Sequence, residues 1–544
     1  MSIMYNRGRL KQNRPPRIIF SLIDDDVIKI NAHKLPSSSY APLAKHLGQT
    51  KLRKAYTISF ERYGQAIAWC TNNKVDFEPL SEHVERLRLS LKKKKEYPFD
   101  MSRVHRELWD TLFPYQREGC KTLVTKFHGR GYLGDEMGLG KTYQALFFLH
   151  YFKQDKRALL ICPSYLRYHW SHEIEKWFGW ETQVIKKGKD ELHGDVIIIS
   201  YDLVNRVKNI PKDFQVVILD ESHYVKNRKA QRTKAITPIV KNTPKALLLS
   251  GTPALNRPVE LFTQLHMLRP RYVPKYTKYA LRYCDGKHSW FGFDDTGVSN
   301  QDELYYILTN KYMVRRLKRD VLTQLPPKKR EEIWFKPNMT ELKEIHELEL
   351  EHAALVDELR SLQDGTEAKR KVMFEIKVMA GKMWRATAAA KTRLISAYIK
   401  DTLATSDQPI IIFCYHQIMM NAIEENLECD FMRIDGSTPS QKRVQNVNRF
   451  QSDNTCKVAL LSIGAAATGI TLTRSAHVIF AEMYWVPGVM LQAEDRAHRI
   501  SQTRSVLVQY LLAKDTMDEK IFPTICKKLK TLDSVVDKRT DRTL

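Results

Sequence analysis

From Gly131 onward, short unbroken apolar runs alternate with amphipathic stretches. ALLICP is followed by LRYHWSHEIEKWF, DVIIIS by YDLVNRV, VVILDES by HYVKNRKAQRTKAI, and ALLLSGTP by VELFTQLHML. Runs of this length with no polar alternation predict strands buried on both faces, and strands alternating with helices predict a parallel sheet covered by helices. The same grammar restarts at PIIIFCYH and continues through MRIDGS, KVALLS, HVIFAEM and SVLVQYLLA, which predicts a second lobe of the same kind. Between them, TELKEIHELELEHAALVDELRSLQ (Thr340 to Gln363) is charged, with apolar residues at helical spacing, and predicts a long helix projecting from the body. Upstream, RIIFSLIDDDVIKI predicts strands, and APLAKHL and SEHVERLRLSL predict helices. The predicted fold class is α/β: two parallel-sheet lobes with helical insertions, preceded by a small α+β module. The expected boundaries are 1–105 for the basic N-terminal module, 106–285 for the first lobe, 286–395 for a linking region with a helical protrusion, and 396–544 for the second lobe.

Composition narrows the class. Of the 544 residues 43% are hydrophobic and 28% charged, values of a folded chain rather than a disordered one. The apolar runs are far too short to span a bilayer, so no membrane partner is expected. The opening MSIMYNRGRLKQNR is basic but has no apolar core behind it, so no secretory signal is expected. Eight cysteines stand singly, without metal-ligand spacing, which favours a reducing compartment and no structural zinc. The charge is more telling. Lys and Arg number 88 against 62 Asp and Glu, a net +26, the excess expected of a protein that works along a phosphate backbone. Basic clusters recur at LKKKK (Leu91 to Lys95), VKNRKAQRTK (Val225 to Lys234), RRLKR (Arg315 to Arg319) and PPKKR (Pro326 to Arg330). Any one of them, taken alone, is more often a solvated face than a binding patch.

The candidate chemistry sits at the strand ends. GYLGDEMGLGKTYQALFFL ends in the Gly-Lys-Thr of a phosphate-binding loop, but Asp135 stands where the first glycine of G-x-x-x-x-G-K-[ST] belongs. A strand leading through a glycine-rich turn into an apolar helix still offers what phosphates need: free backbone N–H groups and the positive end of a helix. The segment Asp135, Glu136, Met137, Gly138, Leu139, Gly140, Lys141 and Thr142 is therefore the predicted nucleotide cradle, with Lys141 on the β/γ-phosphates and Thr142 on Mg²⁺. VVILDESH ends a hydrophobic strand in two carboxylates; Asp220 would hold Mg²⁺ through water and Glu221 would orient and deprotonate the attacking water. Ser250, Gly251 and Thr252 end a further strand and suit a γ-phosphate sensor. In QAEDRAHRISQ, Arg496 and Arg499 lie three apart and are expected on one helix face, as arginine fingers reaching over from the second lobe.

These stretches together resemble the motifs of Swi/Snf-type superfamily 2 DNA-dependent ATPases. DEMGLGKT, DESH, LLSGTP and QAEDRAHRISQ look like motifs I, II, III and VI. LFPYQREG, LLICPSYLRYHWSHEIEKW, VIIISYD, IIIFCYH and LLSIGAAATGITLT look like the remaining ones, over about Leu108 to Leu532. RYCDGK, DDTGVSN, VRRLKRDVLTQLPPKKR and YLLAKDTMDEKIFPTICKKL resemble the annealing-helicase branch. The resemblance implies RecA-like lobes, ATP and Mg²⁺ as cofactors, Gln116 as the adenine-reading residue, and an N-terminal module corresponding to the HARP domain that recognises branched DNA. It implies DNA contacts at Trp170, Ser200, Lys226, Asn227, Thr468 and Trp485. Two positions depart from the pattern: Ser501 stands where the family usually has Gly, and Ala467 where relatives carry Asn or Gly.

The function so implied is an ATP-dependent double-stranded DNA translocase that reanneals or remodels branched DNA such as stalled replication forks, acting in the nucleus with little sequence preference. A nucleosome or protein–DNA remodelling ATPase, and a catalytically inactive DNA-binding scaffold, remain open at this level. An interaction with single-strand-binding protein has no support in the sequence.

Overall fold

The computed structural model describes residues 17–33, 35–48, 55–93, 97–254, 256–289, 292–322, 324–363, 366–466 and 470–537. The N-terminal module is a four-stranded sheet. Its strands are β1 (Arg17–Asp24), β2 (Val27–His33), β3 (Ala55–Ser59) and β4 (Phe77–Glu78), ordered β3-β2-β1-β4, with helices Ser37–His46, Tyr63–Asn72 and Glu82–Lys92 beside it. The alternation expected of a half-buried strand is visible in β3, where Tyr56 and Ile58 are buried while Thr57 and Ser59 are exposed.

The first lobe is built on β5 (Arg130–Leu133), β6 (Ala158–Cys162), β7 (Gln183–Val184), β8 (Val196–Ser200), β9 (Val216–Leu219) and β10 (Lys245–Leu249). A small hairpin of β11 (Lys287–Ser289) and β12 (Gly292–Asp294) follows, and β13 (Met313–Val314) returns to the main sheet. The seven strands are ordered β13-β5-β10-β9-β6-β8-β7 and every pairing is parallel. The runs ALLIC, VIIIS and VVIL are buried at every position, as strands covered on both faces must be. Because β5, β10 and β9 are neighbours in register (Leu133 beside Leu249, Leu219 beside Leu248), the three loops leaving their carboxyl ends converge. That edge is where ligands of open α/β sheets sit.

The second lobe comprises β14 (Lys328–Phe335), β15 (Ile410–Cys414), β16 (Phe431–Ile434), β17 (Val458–Ser462), β18 (His477–Phe480) and β19 (Val506–Ala513), ordered β14-β19-β18-β15-β17-β16 and parallel throughout. The expected protrusion is a pair of helices, Met339–Ser361 and Glu367–Thr405. The first starts at an Asn338–Glu341 capping box, each side chain accepting from the other residue's backbone N–H.

The sheets divide the chain differently from two of the expected boundaries. The region 286–395 is not one link: β13 closes the first sheet and β14 opens the second, so the crossing between lobes is confined to the few residues between Val314 and Lys328. Hydrophobic runs as short as β13 leave no periodicity to read. Nor is the N-terminal module a separate unit, since Ile18, Phe20, Leu43 and Val84 share one apolar cluster with Tyr279, Tyr283, Leu304 and Ile307 of the first lobe. No helix among the described residues is long and apolar enough to cross a membrane, and all eight cysteines are free thiols.

Candidate nucleotide site between the lobes

The turn after β5 is shaped by two glycines in the left-handed region, Gly138 (φ 84°) and Gly140 (φ 70°). At Gly140 a Cβ would stand 2.3 Å from Nε2 of Gln116, so only glycine admits the close approach of that side chain. Lys141 opens the helix Lys141–Lys153, and its Nζ donates to the carbonyls of Asp135 (2.8 Å) and Glu136 (3.3 Å), folding the amine back over the turn. Burial lowers its pKa, against the pull of Glu221, Asp135 and Asp220.

Asp135 occupies the missing-glycine position without entering the cradle through its side chain. The carboxylate is fully buried and paired with the Arg316 guanidinium, while Gln144 donates to it at 2.9 Å. Glu136 likewise points to the segment after β13, where its Oε2 accepts from the Lys318 N–H at 2.8 Å. Both residues offer the cradle their backbone only. Met137 covers Gly251, where a Cβ would fall 2.2 Å from its Cγ. Gln116 is buried, accepting from Phe113 N–H (2.9 Å) and donating to the Leu139 carbonyl (3.0 Å), so it braces the turn.

At the end of β9, Asp220 accepts from the Trp170 indole N–H (2.9 Å) and from the Glu221 N–H (2.9 Å). Burial and the adjacent Glu221 raise its pKa. Glu221 adopts a left-handed backbone (φ 52°, ψ 50°), a strained state for a residue with a side chain. Its carboxylate lies 3.2 Å from His223 Nδ1 and accepts from Ser250 Oγ at 3.4 Å. Burial would raise the Glu221 pKa, but His223, Lys141 and Arg496 outweigh it and hold the carboxylate ionised. Ser250 Oγ in turn accepts from the Thr252 N–H at 3.2 Å.

The second lobe completes the site. Gln492 Nε2 donates to Thr252 Oγ1 at 2.9 Å across the cleft, and the Cγ of Arg499 would lie 3.5 Å from a Cβ on Gly138. Arg496 is buried and lies within the field of Glu221; burial lowers its pKa. Burial and then Arg496 bring the Arg499 pKa down to about 9. The expected placement of Arg496 and Arg499 on one helix face is corrected: the helix Pro487–Glu494 ends before them, and both sit in the turns that follow. Beyond Glu494 the chain tightens, the Arg496 and Ala497 N–H groups returning three residues back to the Ala493 and Glu494 carbonyls, and Gln502 Nε2 fastens the turn to the carbonyls of Thr473, Ser475 and Ala497. Ser501 donates to Thr473 Oγ1 at 3.2 Å and is exposed, so its hydroxyl fits without disturbing the turn.

Two of the expected DNA contacts lie inside the protein. Trp170 is 1% exposed and serves Asp220, and Ser200 is buried at the end of β8. Lys226 is partly exposed and paired with Glu260 (3.3 Å); Asn227 is exposed and accepts from the Lys229 N–H. Trp485 is half-buried, meeting Trp384 edge to face at 5.9 Å. Thr468 and Ala467 lie outside the described residues. Sequence reasoning missed Arg316 and Lys318, although RRLKR stands out as a basic cluster, here within the lobe crossing.

The family described as SNF2-related domain matches residues 115–388, and the helicase conserved C-terminal domain matches 390–501. The chain is 36% identical over 499 residues to "SWI/SNF-related matrix-associated actin-dependent regulator of chromatin subfamily A-like protein 1" of Xenopus tropicalis, covering 89% of this chain and 52% of the relative. It is 39% identical over 453 residues to "DNA annealing helicase and endonuclease ZRANB3" of Bos taurus (79% and 41% covered), and 35% identical over 532 residues to the Caenorhabditis elegans homolog of the first (94% and 72% covered). It thus spans about half the length of the vertebrate relatives it matches. A solved structure described as "Sulfolobus solfataricus SWI2/SNF2 ATPase core in complex with dsDNA" is similar at a TM-score of 0.37 and 22% identity, covering 78% of this chain and 97% of that one. By the two family matches and the relatives aligned over most of its length, the chain belongs to the SNF2-related family, carrying both the SNF2-related domain and the helicase C-terminal domain.

Proposed function

We propose that this protein hydrolyses ATP to translocate on double-stranded DNA and so reanneals or remodels branched DNA such as stalled forks, in the nucleus. The observation that carries the reading is that the site is divided between lobes: phosphate loop, Asp220 and Glu221 on one, Arg496 and Arg499 on the other, bridged by Gln492 and Thr252. The donor set fits a nucleoside triphosphate with Mg²⁺. Two glycines open the turn, a lysine and a helix start supply positive charge, and a threonine and an aspartate supply hard oxygen ligands. No cluster of three or more His, Cys, Asp or Glu that could hold a metal occurs among the described residues, so the ion would rest on Thr142, Asp220, water and the nucleotide itself. Bound ATP supplies the phosphoanhydride and Mg²⁺ neutralises its phosphates.

Lys141 would leave its loop carbonyls to bind the phosphates. Glu221, ionised and held by His223 and Ser250, would take the proton of the attacking water, and Arg496 and Arg499 would stabilise charge on the transferred group. Hydrolysis then depends on lobe closure, and closure moves two DNA-gripping surfaces past each other. The two relatives named for annealing and for chromatin regulation support the branched-DNA and nuclear parts of the reading.

Turnover of ATP should be highest with forked DNA, lower with linear duplex and lowest with single strands or RNA. Equal turnover with every nucleic acid and with none would remove the translocase reading. Trp170→Phe keeps the buried ring but deletes the hydrogen bond to Asp220. A bond to a charged group contributes about 1.5–3 kcal/mol, so kcat should fall roughly tenfold or more while affinity for duplex DNA stays the same. A loss of DNA affinity with normal kcat would return Trp170 to the DNA surface.

A further inference from the structure

In the two basic clusters at the lobe crossing, RRLKR and PPKKR, all the cations but Arg319 and Lys329 turn inward. Arg316 pairs with Asp135, and Arg315 donates to the carbonyls of Gly134 and Gly251 (2.9 Å for the latter), so two residues of the first cluster clamp the strand ends that carry the phosphate loop and its neighbour. On β14, Lys328 and Arg330 hold Glu494 at 2.8 and 2.7 Å, and Lys328 reaches Asp495 at 3.1 Å. These two carboxylates immediately precede Arg496. The second lobe therefore fixes its own arginine segment from below, through residues of its own sheet.

Lys318 differs from these in crossing the cleft. It follows β13, the edge strand of the first sheet, and its N–H donates to Glu136 of the phosphate loop at 2.8 Å. Its ammonium pairs with Asp495 at 3.0 Å and also donates to the His498 carbonyl, in the second lobe. The side chain is buried against the loop, with Cε 3.3 Å from where a Cβ on Gly138 would be, on the same glycine that meets Arg499. Thus one residue touches the turn, the residue before Arg496 and the residue before Arg499. An ammonium so buried is costly unless paired; parting of the lobes would leave Asp495 with Lys328 and deprive Lys318 of both partners on the second lobe.

We infer that Lys318 is a positioning residue for phosphoryl transfer: it registers the phosphate loop through Glu136 and pins Asp495 and the His498 carbonyl, so that Arg496 and Arg499 come to rest against the loop when the lobes close. The inference rests on the ATPase reading above. A positioning role predicts an effect on the chemical step rather than on nucleotide capture, because Lys318 stands behind the arginines and not in the cradle.

The test is steady-state ATP hydrolysis with saturating forked DNA by the full chain, comparing wild type with Lys318→Met, Lys318→Arg, Asp495→Asn and the Lys318→Met/Asp495→Asn pair. Melting temperature and duplex binding are measured on each protein. Lys318→Met should lower kcat by tenfold or more with KM for ATP within about twofold, duplex binding unchanged, and Lys318→Arg should recover part of the rate. Both single changes break the shared Lys318–Asp495 pair, while Lys318→Met also gives up the His498 carbonyl and Asp495→Asn the charge facing Lys328, so the double variant should lose clearly less than the product of the two single losses. Multiplying losses in the double variant, or a raised KM with normal kcat, would overturn the inference. So would full activity of Lys318→Met. If Lys318→Met melts too low to assay, Lys318→Arg and Asp495→Asn decide: both must lower kcat without raising KM. Absence of turnover in the wild type would instead sink the ATPase reading itself, which keeps the two failures apart.

Discussion

Glu221→Gln should abolish ATP turnover while leaving nucleotide and DNA binding in place. The amide keeps the shape of the side chain and can still meet Ser250, but it cannot accept a proton from water. A positioned general base contributes roughly 10²–10⁴-fold, and a loss of that size in kcat, with a fluorescent ATP analogue still bound, is the expected result. What makes the loss large here is how much of the local structure serves this one carboxylate. Its backbone is held in a left-handed conformation by Asp220 accepting its N–H, and its oxygen is kept ionised beside His223, Lys141 and Arg496. A variant retaining more than a tenth of the wild-type rate would mean that another group activates the water.

The second large effect lies far from the cleft. Arg282→Met should destabilise the protein by about 3–5 kcal/mol, the cost of stranding a buried charge by deleting its partner. Arg282 donates to both oxygens of Glu303 at 2.6 Å, to Glu78 at 3.0 Å and to the Phe20 carbonyl at 2.9 Å. Glu303 is fully buried and also accepts from Tyr283 (2.8 Å) and from the Leu22 N–H (3.2 Å), while His83 meets the Tyr283 hydroxyl at 2.7 Å. Residues of β1, β4 and the Glu82–Lys92 helix are thereby fastened to helices of the first lobe. The destabilisation should appear in urea melts as an early transition of the N-terminal module, and in limited proteolysis as cleavage within it. A single unchanged melt would mean that the apolar cluster alone holds the module in place.

The strands were legible because burial on both faces leaves an unbroken apolar run, as in VVIL and VIIIS, and such runs need no tertiary information to recognise. The residues at their carboxyl ends were legible for the same reason: Asp220, Glu221 and the glycines of the turn each follow a strand that announces itself. The burial of Trp170 and Ser200 was not legible because whether a side chain at or beyond a strand end faces solvent or the neighbouring loop depends on which loops converge, and that is set by strand order. The helix expected through Arg496 and Arg499 failed where tertiary bonds from Gln502 outcompeted the helical ladder.

By itself the sequence determined the parallel-sheet lobes, their covering helices and the residues capable of phosphate chemistry, since periodicity and strand-end composition are local properties. Only the tertiary structure decided that Lys318, Lys328 and Arg330 pair with buried carboxylates, that Asp135 is paired with Arg316, and that the N-terminal module shares the core of the first lobe. A positive charge reads the same along the chain whether it meets solvent, a phosphate or a carboxylate. Burial and partner are properties of the fold, and they fix which of these it meets.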